Sequence, residues 1–302
     1  MYVINDYGTY LKRRYGQKVY KLPVSLPVSC PNRDGSKGRG GCTFCASGGS
    51  GFETIDRSVP IREQLRINRE YMGRAYKARK FIAFMQNYTN TYMPLPDFEA
   101  ALNECAADDI VQISVSTRPD CVGEEYLEVS ERVSRKYGVN ISYELGLQSS
   151  NPATLRRINR GHTLSDYIDA VLRIKARGID VGTHLILNLP YDDEGDTVEA
   201  AQLLSVLGTD TVKLHNLFLI RGTVMADEYL RGEWEICSRE RYYELAALFV
   251  RHLSPDIAIE RFFARCPEPG CVFSNWGSSW RRLHNELLEY FDRNNVVQGS
   301  LV

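Results

Sequence analysis

The sequence predicts an α/β protein folded as a partial, TIM-like (β/α)6 barrel with an appended C-terminal segment. Short apolar runs alternate with amphipathic stretches, and about six such units are visible rather than the eight of a closed barrel. Glycines follow several of the predicted helices, as at helix ends in α/β proteins. We therefore expect parallel strands with right-handed crossovers and functional residues at the carboxyl ends of the strands.

The elements follow in order along the chain. The first strand is predicted within KLPVSLPVS, directly before a loop rich in cysteine, and a polar helix is predicted over residues 61–78. Amphipathic helices separate the later predicted strands, which cover residues 80–86, 110–116, 140–148, 179–190 and 209–220. Residues 255–302 break the alternation. We therefore expect a core over residues 1–254, containing a basic N-terminal region and the cysteine loop, with residues 255–302 as a C-terminal extension packed on it.

Composition indicates a cytoplasmic protein without a membrane partner. The hydrophobic share of 43% and the charged share of 25% are those of soluble globular proteins. The longest apolar runs are shorter than a bilayer span, and the N-terminus lacks the features of a secretory signal. Residues 1–80 contain 16 Lys+Arg and 6 Asp+Glu, although the net charge of the whole chain is −1. This basic region is either a surface that binds a polyanion or a solvated helix, and charge alone does not decide between them.

Three cysteines, Cys30, Cys42 and Cys45, have the spacing C-x11-C-x2-C in a polar loop. The C-x2-C pair can present two thiolates to one metal centre. A structural zinc site needs four ligands, and the sequence has no second C-x2-C or H-x3-5-H pair. An iron–sulfur cluster held by three thiolates is therefore favoured over zinc, because it leaves one iron open for a non-protein ligand. Backbone N–H groups can approach the sulfurs at the glycines of this loop, which are residues 35, 38, 40, 41, 48 and 49.

An open iron on a βα barrel, with Phe44 inside the C-x2-C pair, resembles the radical S-adenosylmethionine (radical SAM) superfamily. The long spacing in CPNRDGSKGRGGCTFC resembles its YhcC/YtqA-like branch, which is related to the radical SAM domain of the Elongator catalytic subunit. The order of further motifs supports this resemblance, namely MQNYTNTYMPL, STRPDC, YELGLQS, INRGHT, HLILNLP and VKLHNLFLIRGT. It implies an enzyme in which a 4Fe-4S cluster on the three cysteines binds S-adenosyl-L-methionine (SAM) and cleaves it reductively to a 5′-deoxyadenosyl radical.

The resemblance also implies residues that bind SAM at the strand ends. Glu144 and Gln148 would hydrogen-bond its ribose and methionine parts, and Arg160 would bind its carboxylate as a fork. Backbone at Leu217 to Leu219 would form the platform for the adenine. The full predicted cofactor-binding set is Gln86, Asn87, Thr117, Glu144, Gln148, Arg160, His184 and Leu217.

Several of these residues have ordinary alternatives. Glu144 would otherwise pair with a neighbouring Arg or Lys, and His184 would be a satisfied core histidine. Arg118 and Asp120 either face the site or form a surface salt bridge. Asn188 stands where the superfamily often has a glycine.

Lys213 and His215 are predicted catalytic residues because they alternate onto one face of the sixth strand. Lys213 would suit a substrate with a carboxylate or phosphate, and its alternative is an internal ion pair. Tyr88, the third predicted catalytic residue, and Tyr92 would stack on an extruded base or merely pack.

The predicted function is tRNA modification, with a wobble uridine side group as the target. The expected partners are tRNA and an electron donor such as flavodoxin or ferredoxin. Two alternatives stay open from the sequence: a radical SAM enzyme acting on a small metabolite or a protein, and a non-catalytic, zinc-stabilised RNA-binding module. The sequence assigns no role to Cys266 and Cys271.

Overall fold

A computed structural model describes residues 1–46, 54–265 and 270–302. Its main sheet has seven parallel strands, which in sheet order are β1 (Val19–Ser25), β2 (Lys80–Gln86), β3 (Ile110–Thr117), β4 (Asn140–Gln148), β5 (Asp180–Ile186), β6 (Thr211–His215) and β8 (Ala258–Arg261). Two short strands pair antiparallel beside it, β7 (Leu219–Ile220) and β9 (Cys271–Phe273).

Most of the helices connect successive strands, and the longer of these pack on the apolar outer face of the sheet. They are α1 (Tyr7–Tyr15), α2 (Pro31–Asp34), α3 (Ile61–Tyr76), α4 (Leu95–Cys105), α5 (Glu124–Tyr137), α6 (Pro152–Arg157), α7 (Leu164–Ala176), α8 (Glu194–Val206), α9 (Val224–Leu230), α10 (Arg239–His252) and α11 (Trp280–Arg293). Capping boxes at Thr163 and Asp193 begin α7 and α8, and Gly138 ends α5 in a left-handed conformation. Within the described ranges, no helix has the length and apolarity needed to cross a bilayer.

The sheet curls so that its two edge strands face each other across a polar interior. Lys21 of the edge strand β1 forms ion pairs at 2.7 Å with Glu260 of the opposite edge strand, β8, and with Glu144 of the central strand β4. Alternate residues of these strands point outward and form the core with the helices, for example Tyr143 and Leu145 beside Glu144. The predicted partial, TIM-like barrel is confirmed.

The sheet contains one strand more than the six predicted. The seventh strand, β8, lies within residues 255–302, the predicted C-terminal extension. It was missed because AIER is a four-residue strand with two charged residues rather than a long apolar run. The division of the chain at residue 254 stays a prediction.

Two predicted strands are shorter than expected. Beyond their ends, side-chain amides rather than strand carbonyls accept the hydrogen bonds of backbone N–H groups. The strand predicted at 179–190 ends at Ile186, and the one predicted at 209–220 is divided into β6 and β7. The Asn188 side chain accepts a hydrogen bond from the backbone N–H of Leu217 at 2.7 Å, and Asn216 accepts from the N–H of Ala264 at 2.8 Å. The chain therefore leaves the sheet after His215.

Candidate active site

A cavity of about 260 Å³ lies at the carboxyl ends of the parallel strands. Strands β2 to β6 and β8, the segments that follow them and the cysteine loop all contribute to its lining. All the predicted metal-binding, cofactor-binding and catalytic residues line this cavity, namely Cys30, Cys42, Cys45, Gln86, Asn87, Tyr88, Thr117, Glu144, Gln148, Arg160, His184, Lys213, His215 and Leu217. The structure thus brings the predicted residues together, whereas their chemical roles stay predictions.

Residues 30–46, here called the cysteine loop, fold back over the short helix α2. Cys30 is extended and directly precedes this helix. The side chain of Asn159 donates hydrogen bonds to the backbone carbonyls of Arg39 and Gly41, at 3.0 and 2.8 Å. Since Asn159 follows α6, these bonds hold the loop against the segment after β4.

The three thiols differ in burial. Cys42 is 9% exposed, and Cys30 and Cys45 are half-buried. Burial raises the pKa of Cys45 and the neighbouring Cys42 raises it further, whereas Arg33 opposes both effects. Among the residues that the structure describes, no group of three or more His, Cys, Asp or Glu has the arrangement of a site for a metal ion. The assignment of a cluster to these thiols therefore rests on their type, their spacing and their common place in the cavity.

Unused hydrogen-bonding atoms gather where β2 and β3 end. Asn87 and Tyr88 have positive φ angles of 75° and 53°, which turn the chain after β2. Asn87 Oδ1, Thr89 Oγ1 and Ser116 Oγ are buried without a hydrogen-bond partner among the described residues. Because buried polar atoms are nearly always paired, these three can receive a ligand that brings N–H or O–H donors. A ligand ammonium group fits this set.

A network of buried charges, here called the floor network, lies in the barrel interior beneath the cavity. The Glu144 carboxylate accepts hydrogen bonds from Lys21 at 2.7 Å, Lys213 at 2.6 Å and His184 at 2.7 Å. Glu260 pairs with the same two lysines, at 2.7 and 3.2 Å. Burial would raise the pKa of Glu144, but the two lysines hold it well below its usual value. The predicted alternative of an internal ion pair is therefore present for both Glu144 and Lys213.

The two histidines of this region are neutral near pH 7. Burial and then Lys213 lower the pKa of His184 to about 4. Burial and then Arg261 lower the pKa of His215 well below its usual value, and an Arg261 nitrogen lies 3.0 Å from His215 Nδ1. Burial also lowers the pKa of Lys213, against the two carboxylates. Neutral imidazoles can accept or donate a hydrogen bond to a substrate group.

The guanidinium of Arg160 donates hydrogen bonds to the protein backbone. Its Nε and Nη2 donate to the Gly146 carbonyl at 3.1 and 2.6 Å, and its Nη1 lies 3.6 Å from Cys42 Sγ. A Cβ at residue 146 would lie 2.7 Å from Arg160 Nη2, so this approach requires glycine. The ladder shifts register between Gly146 and Gln148, and Gln148 has a φ of 79°. The fork predicted for the SAM carboxylate is thus already bound to a carbonyl.

The predicted salt bridge between Arg118 and Asp120 is present, but it is buried rather than at the surface. Arg118 is 2% exposed and binds Asp120 through two bonds of 2.9 and 3.0 Å. Its Nη1 also donates to the Arg160 carbonyl at 2.8 Å. The cysteine loop covers the pair, with Lys37 of this loop 3.3 Å from Asp120.

The two candidate stacking tyrosines differ in their contacts. Tyr88 lines the cavity and lies under the guanidinium of Arg33, 5.7 Å from the ring centre. The Tyr92 hydroxyl is 2.6 Å from Ser36 Oγ of the cysteine loop, and Tyr92 is not part of the described cavity lining. Tyr88 is therefore the better placed of the two to meet a substrate.

The fold and the cavity together define a partial-barrel enzyme with a three-thiol cofactor site at the carboxyl ends of its strands. The profile of the Radical SAM superfamily matches residues 30–204, and that of the Radical_SAM C-terminal domain matches residues 209–293. The chain therefore belongs to the radical SAM superfamily. It is an enzyme of this class, whose cofactors are a 4Fe-4S cluster and SAM.

Relatives of known sequence support the predicted branch. Protein YhcC of Escherichia coli is 33% identical over 299 residues, covering 99% of this chain and 95% of that protein. The tRNA uridine(34) acetyltransferase of Methanocaldococcus jannaschii is 31% identical over 147 residues, covering 48% of this chain and 26% of that protein. The structure of archaeal Elp3 from Methanocaldococcus infernus shares the fold, with a TM-score of 0.69 and 17% identity over 92% of this chain and 63% of that chain. The YhcC-like branch is confirmed.

Sequence reasoning missed several residues that contact the site. Asn32 and Arg33 lie beside the thiols, and Lys21, Glu260 and Arg261 lie at the barrel interior. A charged residue inside the apolar run VYKLPV was the available signal for Lys21, because an unpaired charge within a strand is costly. Asn32 and Arg33 gave no comparable signal, since polar residues are ordinary in a loop.

Three other described cysteines lie on or beside helices. Cys105 is buried on α4, Cys121 ends a short 3-10 helix, and Cys237 precedes α10. The described lining of the cavity includes none of these three. Cys266 lies outside the described residues, and Cys271 begins β9.

Proposed function

We propose that this enzyme cleaves SAM reductively at a 4Fe-4S cluster held by Cys30, Cys42 and Cys45 and uses the resulting 5′-deoxyadenosyl radical to modify a tRNA base. The observation that carries the proposal is that these thiols share one cavity with the unused polar atoms at the ends of β2 and β3. The cluster, when bound, supplies the electron for this cleavage. A flavodoxin or ferredoxin is the proposed electron donor.

The donor types around the cavity fit both cofactors. Thiolates are the ligands of iron–sulfur clusters, and three of them leave one iron open. Asn87, Thr89 and Ser116 offer acceptors for the ammonium group of SAM. The backbone near Leu217, held by Asn188, is the proposed platform for the adenine. The other proposed contacts with SAM are Gln86, Thr117, Glu144, Gln148, Arg160 and His184, and the proposed catalytic residues are Tyr88, Lys213 and His215.

Positive charge around the cavity supports a tRNA substrate. Exposed cations lie in the cysteine loop, at Lys37 and Arg39, and on the adjoining helix α6, at Arg156 and Arg157. Lys37 and Arg157 also pair with the carboxylates of Asp120 and Glu228. Such a group of cations attracts phosphates. The relative named as a tRNA uridine(34) acetyltransferase favours the wobble uridine as the first target to test. Tyr88 is the proposed stacking partner of an extruded base.

Anaerobic reconstitution tests the cofactor assignment. The wild-type chain should bind about four irons and release 5′-deoxyadenosine from SAM when dithionite is supplied. Cys42→Ala should lose most of its iron and this activity, whereas Cys105→Ala, the matched control outside the cavity, should keep both. Colourless protein with stoichiometric zinc, or full iron content in Cys42→Ala, would contradict the assignment.

Nucleoside analysis tests the substrate separately. Digested tRNA from cells with and without the gene should differ in at least one modified nucleoside by mass spectrometry. The wild-type gene should restore the difference and a Cys42→Ala gene should not. Identical profiles with and without the gene would remove tRNA as the substrate and leave the cofactor assignment intact.

A further inference from the structure

Three side-chain N–H groups point at two of the three thiols. Arg33 Nη2 lies 3.1 Å from Cys45 Sγ. Arg160 Nη1 and Asn32 Nδ2 lie 3.6 and 3.7 Å from Cys42 Sγ. These distances suit N–H···S hydrogen bonds, which are longer than bonds to oxygen. Neither SAM binding nor the catalytic residues proposed above explain these contacts.

Arg33 is held in place by groups other than the thiol. Its Nη2 also donates to the backbone carbonyls of Cys45, at 2.9 Å, and Ala46. Its side-chain stem passes Gly41, where a Cβ would lie 3.1 Å from both Cγ and Nε of the arginine. Gly41 has a φ of 79°, so this position favours glycine twice over. The guanidinium is therefore fixed beside Cys45 by the shape of the loop.

Arg160 and Asn32 are fixed in the same manner. The Gly146 carbonyl holds two nitrogens of Arg160, which leaves Nη1 directed toward Cys42. Asn32 is fully buried, and its Nδ2 donates to the Asn159 carbonyl at 2.7 Å as well as facing Cys42. Because both groups are already oriented by the backbone, they can meet a thiolate with little loss of side-chain entropy.

Hydrogen-bond donors in these positions would change the reduction potential of a bound cluster. A one-electron reduction makes the cluster and its thiolates more negative by one charge. Hydrogen bonds to the sulfurs and nearby positive charge stabilise the reduced form more than the oxidised form, and thereby raise the reduction potential. Among the described residues, Arg33 and Arg160 form no ion pair with a carboxylate, so their charge is not neutralised within this part of the chain.

We propose that Arg33, Arg160 and Asn32 are positioning residues that raise the reduction potential of the cluster through N–H···S bonds to Cys45 and Cys42. This rests on the cluster assignment in the proposed function. The three residues bring the potential within reach of a biological electron donor. They act on the cluster through its thiolate ligands and need not touch SAM.

The test is a redox titration of the reconstituted cluster, followed by electron paramagnetic resonance of its reduced form. Arg33→Met keeps the length of the stem and removes both the charge and the donors. At a fixed solution potential, its ratio of reduced to oxidised cluster should fall at least tenfold, which is about 59 mV for a one-electron couple. Arg39→Met is the matched control, because Arg39 is exposed on the same loop, carries the same charge and donates no hydrogen bond to a thiol of the described residues.

A smaller shift in Arg39→Met than in Arg33→Met supports the proposal. Equal shifts would show that only the charge of the loop matters, and unchanged potentials in both variants would overturn the proposal outright. Arg33→Lys, which restores the charge without the fork, should lie between Arg33→Met and wild type.

If Arg33→Met fails to bind the cluster, a second variant, Asn32→Asp, tests the proposal. Asn32→Asp is nearly isosteric and replaces the donor facing Cys42 by a carboxylate oxygen, so the potential should again fall, while an unchanged potential would overturn the role of Asn32. Absence of iron from the wild-type chain would overturn the proposed function itself. Full iron content with unchanged potentials would overturn only this inference.

Discussion

Replacing Glu144 by glutamine tests whether the floor network holds the two edges of the partial barrel together. Glu144 is 3% exposed and accepts hydrogen bonds from Lys21, Lys213 and His184. Glutamine keeps the size of the side chain and removes its charge. The buried Lys213 and the partly buried Lys21 would then share one carboxylate, that of Glu260, and one positive charge of this pair would be left uncompensated.

The structure sets the expected magnitude. Removing one partner of a buried ion pair costs about 3–5 kcal/mol of unfolding free energy. Because Glu260 stays within 2.7 and 3.2 Å of the two lysines, we expect Glu144→Gln to fall at the lower end, near about 3 kcal/mol. Urea unfolding of the cluster-free chain, followed by tryptophan fluorescence, measures this loss.

Two further variants make the result interpretable. Glu124→Gln is the matched control, since Glu124 pairs with Arg173 and Arg177 but is 51% exposed, and water screens that pair. Glu124→Gln should lose much less unfolding free energy than Glu144→Gln. Adding Lys213→Met to Glu144→Gln restores the charge balance and should recover at least half of the loss. Equal losses in Glu144→Gln and Glu124→Gln, or no recovery in the double variant, would refute the reasoning.

Three other predictions follow from single contacts. Gly38→Ala would place a Cβ 2.1 Å from Asn32 Oδ1, so reconstituted iron content should fall below that of Gly73→Ala, whose Cβ on helix α3 meets no atom within 4 Å; equal iron contents would contradict this. The pKa of His184 is about 4 in the folded chain against an ordinary 6.5, so the unfolded chain binds more protons between these values and stability should decrease as the pH falls from 6.5 to 4. His184→Asn should flatten this decrease in urea titrations at several pH values, and an unchanged slope would show that another group causes it. Asn188→Ala removes the acceptor for the Leu217 N–H and should raise the KM for SAM without loss of iron, whereas Asn188→Asp, which keeps an acceptor oxygen, should not.

The sequence predicts the fold well where a strand is a long apolar run. Strand β2, KFIAFMQ, is such a run and has the predicted bounds, and β4 also has the predicted bounds because apolar residues alternate along it. Strand β8 has no such run, because its Glu260 and Arg261 turn toward the polar interior. The break after His215 depends on Asn188, which is distant in sequence and gives no local signal.

For the candidate site as well, the sequence predicts local features but not contacts between distant residues. The thiol spacing and the strand-end positions identify the residues around the cavity, because these features are local in sequence. The pairing of Lys21 with Glu144 and Glu260 is not local, since it joins strands β1, β4 and β8. Nor does any motif indicate that the Arg160 fork is bound to Gly146, because that contact depends on a ladder shift at the end of β4.

The charges around the cavity are balanced differently at its two ends, and this bears on the substrate. In the floor network, Lys21 and Lys213 are matched by Glu144 and Glu260, so these four carry no net charge. An anionic substrate group bound to Lys213 would have to displace a carboxylate that is already there, at a cost in desolvation and pairing. Lys21 and Lys213 therefore offer no uncompensated charge to an anionic substrate group.

Within the described part of the chain, Arg33 and Arg160 at the thiol end have no carboxylate partner, and exposed cations lie on the adjoining loop and helix α6. A nucleic acid has the matching division of charge, since its phosphates are anionic and its bases are neutral. An extruded base would enter the cavity while its phosphates stayed outside with the exposed arginines. A substrate of this kind would place its uncharged part beside Lys21, Lys213, Glu144 and Glu260, so the charge balance of these four residues supports the tRNA proposal.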